Sequence, residues 1–108
     1  MLRLKQGVSL DGLTVPTLSG LLDVAIEYDK IGCDCWVTSG SEGDSSDGVH
    51  TPTSWHYVGR ALDIRMRNVP DHLQSELFNR IKFVLGDTFD VIFYEGTKHL
   101  HVEYDPEA

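Results

Sequence analysis

Two short stretches of the chain concentrate side chains that bind metal ions. The first, Ser-Trp-His-Tyr-Val-Gly-Arg-Ala-Leu-Asp, carries His56 and Asp63 on either side of a glycine. The second, Lys-His-Leu-His-Val, carries His99 and His101 at alternate positions. Alternate residues of a β-strand point to one face, so both imidazoles of the second stretch are expected to face the same way. Two imidazoles and one carboxylate around a point would make a zinc site that leaves a position for water.

The same residues predict the parts of a hydrolytic reaction. Three of them are the predicted zinc ligands: His56, Asp63 and His101. Zinc lowers the pKa of a bound water toward about 7, which yields a nucleophile at neutral pH. Glu95 is the predicted base that takes the water proton, and His99 or His50 is the predicted donor to the oxyanion.

Each of these residues also has a purely structural interpretation. A single histidine on a strand is commonly structural or exposed, and Asp63 can form a salt bridge with Arg60 or Arg65. Glu95 can be an ordinary hairpin residue. The grouping favours a metal site, because four of the five histidines fall in or just before the two stretches. Hydrolysis is a further step beyond metal binding.

The surrounding pattern predicts an α+β fold, a small antiparallel sheet flanked by two main helices. Helices are predicted over residues 17–31, with Thr17 as the N-cap, and over 69–85, with Pro70 in the first turn. Strands are predicted at 36–39, 61–66, 89–95 and 98–104. Alternation in the second of these strands predicts that Asp63 faces away from the core.

The register of the C-terminal hairpin decides which residues share the face of the metal site. A two-residue loop would pair Glu95 with Lys98 and put Glu95 on the face opposite His99. A three-residue loop over 96–98 pairs Glu95 with His99 and puts both on the metal face. We expect the three-residue loop. Gly59 is expected to let the backbone turn closely between the two ligands of the first stretch.

Length and composition predict a single domain over residues 1–108 with one core, since 41% of the 108 residues are hydrophobic. The formal net charge of −8 argues against nucleic-acid partners and against anionic membranes. The chain has no apolar run that could cross a bilayer, and its start lacks the features of a signal peptide. We therefore expect a cytoplasmic monomer, unless another factor releases it.

A polar loop after the first predicted strand offers a second cation site. Glu42, Asp44 and Asp47 are candidate ligands for Ca²⁺, which takes several oxygen donors. The spacing of an EF-hand is absent, so a solvated loop is the favoured interpretation. Cys33 and Cys35 are separated by one residue, which disfavours a disulfide and indicates two free thiols.

Both stretches resemble motifs of known families. The first is similar to the Ser-x-His-x-x-Gly-x-Ala-x-Asp motif of zinc D-alanyl-D-alanine carboxypeptidases, a group that includes phage endolysins and is structurally akin to the Hedgehog signalling domain. The sequence Tyr-Glu-Gly-Thr-Lys-His-Leu-His resembles the second motif of Hedgehog domains, and the likeness covers roughly residues 36–104. It implies the following site: zinc ligands His56, Asp63 and His101, base Glu95, and active-site histidines His99 and His50. It also implies, loosely, calcium at the acidic loop.

One feature of the carboxypeptidases is missing from this chain. Many of them have an arginine after a Ser-Gly turn that holds the terminal carboxylate of the substrate, and none follows Ser39-Gly40 here. An internal amide bond is therefore favoured; the alternative is that Arg60 or Arg65 takes the place of the missing arginine. Arg60 and Ser54 are candidate substrate contacts. The expected function is a zinc metallopeptidase that hydrolyses an amide bond in peptidoglycan peptides. The alternatives are a non-catalytic, zinc-containing, Hedgehog-like binding module and a phage structural component.

Overall fold

Five strands and two helices make up the part of the chain that the computed structural model describes, residues 1–42 and 59–106. In chain order they are β1 (Leu2–Leu4), α1 (Val15–Lys30), β2 (Cys35–Ser39), β3 (Ala61–Arg65), α2 (Asp71–Leu85), β4 (Phe89–Tyr94) and β5 (His99–Tyr104). The predicted α+β class is confirmed. Neither helix in these two segments is long and apolar enough to cross a membrane.

The strands form one sheet in the order β1-β2-β3-β5-β4. β1 runs parallel to β2, and the other neighbouring strands are antiparallel. Leu62 pairs with Val102 and Ile64 pairs with Leu100, and all four side chains are fully buried in one core with both helices. The residues between them, among them Asp63, therefore face away from the helices, as the alternation predicts.

α1 begins two residues before the predicted start, and its cap differs from the prediction. Thr14 is the N-cap, because its Oγ1 accepts a hydrogen bond from the backbone N of Thr17 at 3.4 Å. Three apolar residues that recur at helical spacing in α1 are exposed: Leu18, Leu22 and Ile26. The helix carries two overlapping apolar stripes, and only one of them packs against the sheet. The residues of the buried stripe are Leu21, Val24, Ala25 and Tyr28.

α2 follows its prediction closely. It begins after Pro70, and its apolar residues Leu77, Ile81 and Leu85, spaced by four, are buried. The buried Gln74 donates from Nε2 to the carbonyl oxygen of Val69 at 2.9 Å, which fixes the connection between β3 and α2.

Gly59 precedes β3 in a conformation that only glycine adopts easily. Its φ is +73°, and a Cβ added there would lie 1.9 Å from the carbonyl oxygen of Gly12. The carbonyl of Gly59 in turn accepts from the backbone N of Thr14 at 2.9 Å. Gly59 thus lets the backbone approach the N-terminal arm closely, whereas the expected turn between His56 and Asp63 includes positions outside the described residues.

The two cysteines are free thiols, as predicted. Cys35 is fully buried at the start of β2, and burial raises the pKa of its thiol to about 12. Cys33 is half-buried in the turn that follows α1.

Candidate metal centre

Asp63 and His101 meet on the sheet face that lies opposite the helices. They are directly paired in the register of β3 and β5, so their side chains project from the same face. The Oδ1 of Asp63 lies 2.9 Å from the Nδ1 of His101. The two side chains are 21% and 19% exposed, which shields them partly from water while leaving them reachable.

The donor pair fits a zinc ion. Two ligand bonds of about 2.0 Å at a tetrahedral angle place the ligand atoms about 3.3 Å apart. The observed separation of 2.9 Å is that of a direct hydrogen bond, so the pair must open by about 0.4 Å to reach that spacing. A carboxylate oxygen with an imidazole nitrogen is a common zinc donor set. The third predicted ligand, His56, lies outside the described residues. So do these further predicted site residues: His50, Ser54, Asp44 and Asp47.

Glu103 contacts the other side of the same imidazole. Its Oε1 lies 3.0 Å from the Nε2 of His101, two residues along β5 on the same face. The hydrogen bond to Asp63 is the main reason that the pKa of His101 is raised; burial opposes this, and Glu103 adds to it. With Nε2 donating to Glu103, Nδ1 is the nitrogen left for a metal, and a proton competes for it.

Sequence reasoning missed Glu103, although a signal for it exists. It stands two residues after His101, at the next position on the same face of the strand. Carboxylates commonly orient metal-binding imidazoles in this way. Glu103 also belongs to a group of acidic side chains whose oxygens lie within 4.8 Å of one another and could hold a cation: Asp90, Glu103 and Asp105.

His99 lies on the same face of the sheet as Asp63 and His101, two residues before His101 on β5. Its pairing with β4 differs from the prediction. Tyr94, rather than Glu95, is opposite His99, so the predicted three-residue hairpin loop is wrong. The turn spans residues 95–98, and its last residue, Lys98, takes a left-handed conformation with φ of 54°. Its carbonyl then accepts from the backbone N of Met66 at 2.8 Å, which anchors the longer turn to the end of β3.

The longer turn changes the position of the predicted base. Glu95 is the first residue of the turn and is exposed, so it is not on the strand face beside His99. The ring of His99 stacks on Tyr94 with centroids 4.9 Å apart, and its Nδ1 lies 2.6 Å from the Oγ1 of Thr97. His99 is therefore held from two sides.

Glu42, a predicted calcium ligand, is held by donors of the protein itself. Its Oε1 accepts from the backbone N of Gly40 at 2.8 Å and of Ser9 at 3.1 Å, and its Oε2 accepts from the Oγ of Ser39 at 2.9 Å. Burial by itself would raise the pKa of Glu42, but these hydrogen bonds together hold it below its usual value. The carboxylate thus closes the turn after β2.

A cleft of about 440 Å³ opens beside Asp63 on this face. Asp63 and His99 line it together with four cationic side chains: Lys5, Arg65, Arg67 and Lys98. Arg60, another predicted substrate contact, lies just before β3, where its carbonyl accepts from the backbone N of Tyr104 at 2.7 Å. The cleft brings a candidate metal ligand, a second imidazole and several positive charges to one place.

Comparison with known proteins finds similarity to Hedgehog proteins over part of the chain. No protein-family model matches. A segment of 67 residues is 34% identical to Indian hedgehog B protein of Danio rerio, and equally so to Sonic hedgehog protein of Xenopus laevis and Indian hedgehog protein of Gallus gallus. The match covers 62% of this chain but only 14% to 16% of the length of these relatives. The Hedgehog part of the predicted resemblance is thus supported by a partial sequence match.

Proposed function

We propose that this chain is a zinc-dependent peptidase that hydrolyses an amide bond in peptidoglycan peptides. The observation that carries the proposal is the 2.9 Å contact between Asp63 Oδ1 and His101 Nδ1 at the wall of a cleft. His56, which precedes Gly59 by three residues, is the proposed third ligand. When bound, zinc supplies a Lewis acid that makes water more acidic and polarises a carbonyl group.

His99 is suited to donate a hydrogen bond to the oxygen of the reacting carbonyl. Its Nδ1 is 2.6 Å from the hydroxyl of Thr97, and the hydroxyl can donate to it. Nε2 then carries the proton of the neutral imidazole and is the nitrogen that can donate to substrate. Stacking on Tyr94 fixes the plane of the ring, so little ordering is needed when a substrate arrives.

Glu95 is the proposed base that takes the proton of the attacking water. The resemblance of the second motif to Hedgehog domains supports this role, although Glu95 lies in the exposed turn after Tyr94 and not on the strand face beside His99. Glu103 is a weaker candidate for this role, because its oxygen is already engaged by His101 at 3.0 Å. The assignment therefore gives Glu95 the proton transfer and Glu103 the orientation of a ligand.

The similarity to Hedgehog proteins supports a second candidate, a zinc-containing binding module without catalysis. Fold and metal site alone do not decide between the two. An imidazole positioned as a donor at an open cleft favours the enzyme, because a pure binder has no use for an oxyanion donor. The peptidoglycan substrate rests on the resemblance of the first motif to the carboxypeptidases and endolysins.

Metal analysis combined with mass spectrometry of digested muropeptides tests the proposal. We expect one zinc per chain and new amine-bearing fragments that disappear after chelation and return with zinc. Glu95→Gln should keep its zinc and lose turnover, whereas the control Glu76→Gln, on the exposed side of α2, should retain both. Unchanged turnover in Glu95→Gln would remove that residue from the mechanism. Stoichiometric zinc without any cleavage would favour the binding module.

A further inference from the structure

The sheet carries a row of cations and aromatic rings next to the Asp63–His101 pair. The row crosses all five strands in this order: Arg3, Trp36, Arg65, His99 and Tyr94. The guanidinium carbons of Arg3 and Arg65 lie 5.7 Å and 5.2 Å from the centre of the Trp36 ring. Aromatic stacking of this kind fixes the plane of a guanidinium group and leaves its edges for hydrogen bonds.

We propose that the Arg65 end of the cleft binds a carboxylate of the substrate peptide, close to the bond that is cleaved. This proposal rests on the proposed peptidase function and specifies its substrate. The ligand chemistry is a carboxylate, supplied either by the C-terminus of the peptide or by an acidic side chain. The contacting side chains are Arg65 in β3, Arg67 just after β3 and Lys5 just after β1. These positions differ from the one after the Ser-Gly turn, where this chain has no arginine.

Arg65 has an unused donor at this place. Its Nε is buried and has no hydrogen-bond partner among residues 1–42 and 59–106. Buried donors of structural arginines are nearly always satisfied, so an unsatisfied one in the wall of a cleft points to a ligand. A carboxylate matches the requirement, because its two oxygens accept paired hydrogen bonds from the planar guanidinium group.

Positive side chains are concentrated in this cleft, which favours the binding of an anion. The chain has a formal net charge of −8, yet Lys5, Arg65 and Arg67 all line this cleft. Within the described part of the chain, none of these three side chains forms an ion pair. Of the acidic residues in the same wall, Glu42 is engaged by backbone and serine donors and Asp63 by His101. The cations are therefore left to attract a ligand.

The spacing relates this site to the candidate metal centre. Arg65 lies two residues after Asp63 on the same face of β3, which corresponds to about 7 Å along a strand. An extended peptide advances about 3.3–3.6 Å per residue. A peptide whose reacting carbonyl sits at Asp63 and whose carboxylate sits at Arg65 thus carries that carboxylate within about two residues of the cleaved bond.

Titration of the metal-free full chain with three peptides, with binding measured by NMR, tests this site without turnover. The probes are acetyl-Lys-D-Ala-D-Ala with a free C-terminus, the same peptide with a C-terminal amide, and an amidated peptide with glutamate as its last residue. We expect the free acid or the glutamate peptide to bind about tenfold more tightly than the neutral amide, since a charged hydrogen bond is gained. Which acid binds identifies the source of the carboxylate.

Variants that remove one positive charge test whether Arg65 and Arg67 cause the preference for the acid peptides. Arg65→Gln and Arg67→Gln should reduce or abolish the preference for the acid, and Arg65→Lys should retain part of it. Lys82→Gln, on the exposed face of α2, removes the same charge and should leave the preference intact. Arg67 is exposed, so its variant keeps the test available if Arg65→Gln does not fold.

Three results would overturn the carboxylate site, two of them from peptide binding alone. One is equal binding of acid and amide to the unaltered chain, and the other is full preference for the acid in both Arg65→Gln and Arg67→Gln. Inorganic phosphate that displaces the peptide acid completely at equal concentration would likewise replace the proposal with a general anion site. If the zinc-loaded chain cleaves nothing but the acid preference depends on Arg65, the peptidase proposal fails and the carboxylate site stands.

Discussion

Replacing Glu103 tests whether His101 is oriented as a metal ligand. Glu103 is 17% exposed and accepts from the Nε2 of His101 at 3.0 Å. Removal of such a carboxylate partner typically weakens metal affinity about 10- to 100-fold. Glutamine keeps an acceptor oxygen and loses only the charge, so we expect about a tenfold loss for Glu103→Gln. Alanine removes the acceptor as well, and its loss should lie toward the upper end of that range.

The assay is competition for zinc between the apoprotein and a chromophoric chelator at fixed pH and ionic strength. Glu76→Gln is the matched control, because it removes one carboxylate from an exposed position on α2. The fold should be unharmed, since Glu103 lies close to Asp90 and Asp105 and losing one of three negative charges relieves repulsion. Zinc affinity equal to that of the unaltered chain in both Glu103 variants would refute the proposed orientation of His101.

Two further predictions concern the scaffold. Glu27, 5% exposed, accepts from Lys30 and Arg80 at 2.9 Å each, so Glu27→Gln should cost about 1 kcal/mol of unfolding free energy at pH 7 in urea titrations. The hydrogen bond from Lys30 is the main cause of the lowered pKa of Glu27. The stabilisation that the Glu27 carboxylate provides is therefore present above pH 4.5 and lost as pH falls through the folded pKa. If the unaltered chain still exceeds Glu27→Gln in unfolding free energy below that pKa, this explanation is wrong. Gly59→Ala should destabilise by about 2–4 kcal/mol, because the new Cβ meets a carbonyl oxygen at 1.9 Å, whereas Gly96→Ala, with open space around it, should change stability by under about 0.5 kcal/mol. Similar urea midpoints for the two glycine variants would show that the close approach at Gly59 is not a constraint.

The parts of the site that the sequence could predict are those fixed by strand alternation. A buried face with a period of two sets the orientation of a whole strand, so the buried Leu62 and Ile64 determine where Asp63 points. The same holds for His101 between Leu100 and Val102. Their direct pairing then follows once β3 and β5 are neighbours.

The parts that could not be predicted depend on contacts between distant residues. Gly96 suggested a short hairpin loop, but Lys98 adopts the left-handed conformation. A hydrogen bond from the backbone N of Met66 to the carbonyl oxygen of Lys98 stabilises the longer turn. Nothing in the local sequence marks a lysine for that conformation. The face of α1 was ambiguous for a similar reason, since only tertiary packing selects between its two apolar stripes.

Every catalytic role proposed for this chain requires a zinc ion at the junction of β3 and β5. A crystal structure of the zinc-loaded protein, with anomalous data at the zinc edge, would show whether the ion binds there. We expect one peak bound by an oxygen of Asp63, by Nδ1 of His101 and by His56, with a position left for water. A peak among Asp90, Glu103 and Asp105 instead, or a zinc ion closed by four protein donors, would contradict it.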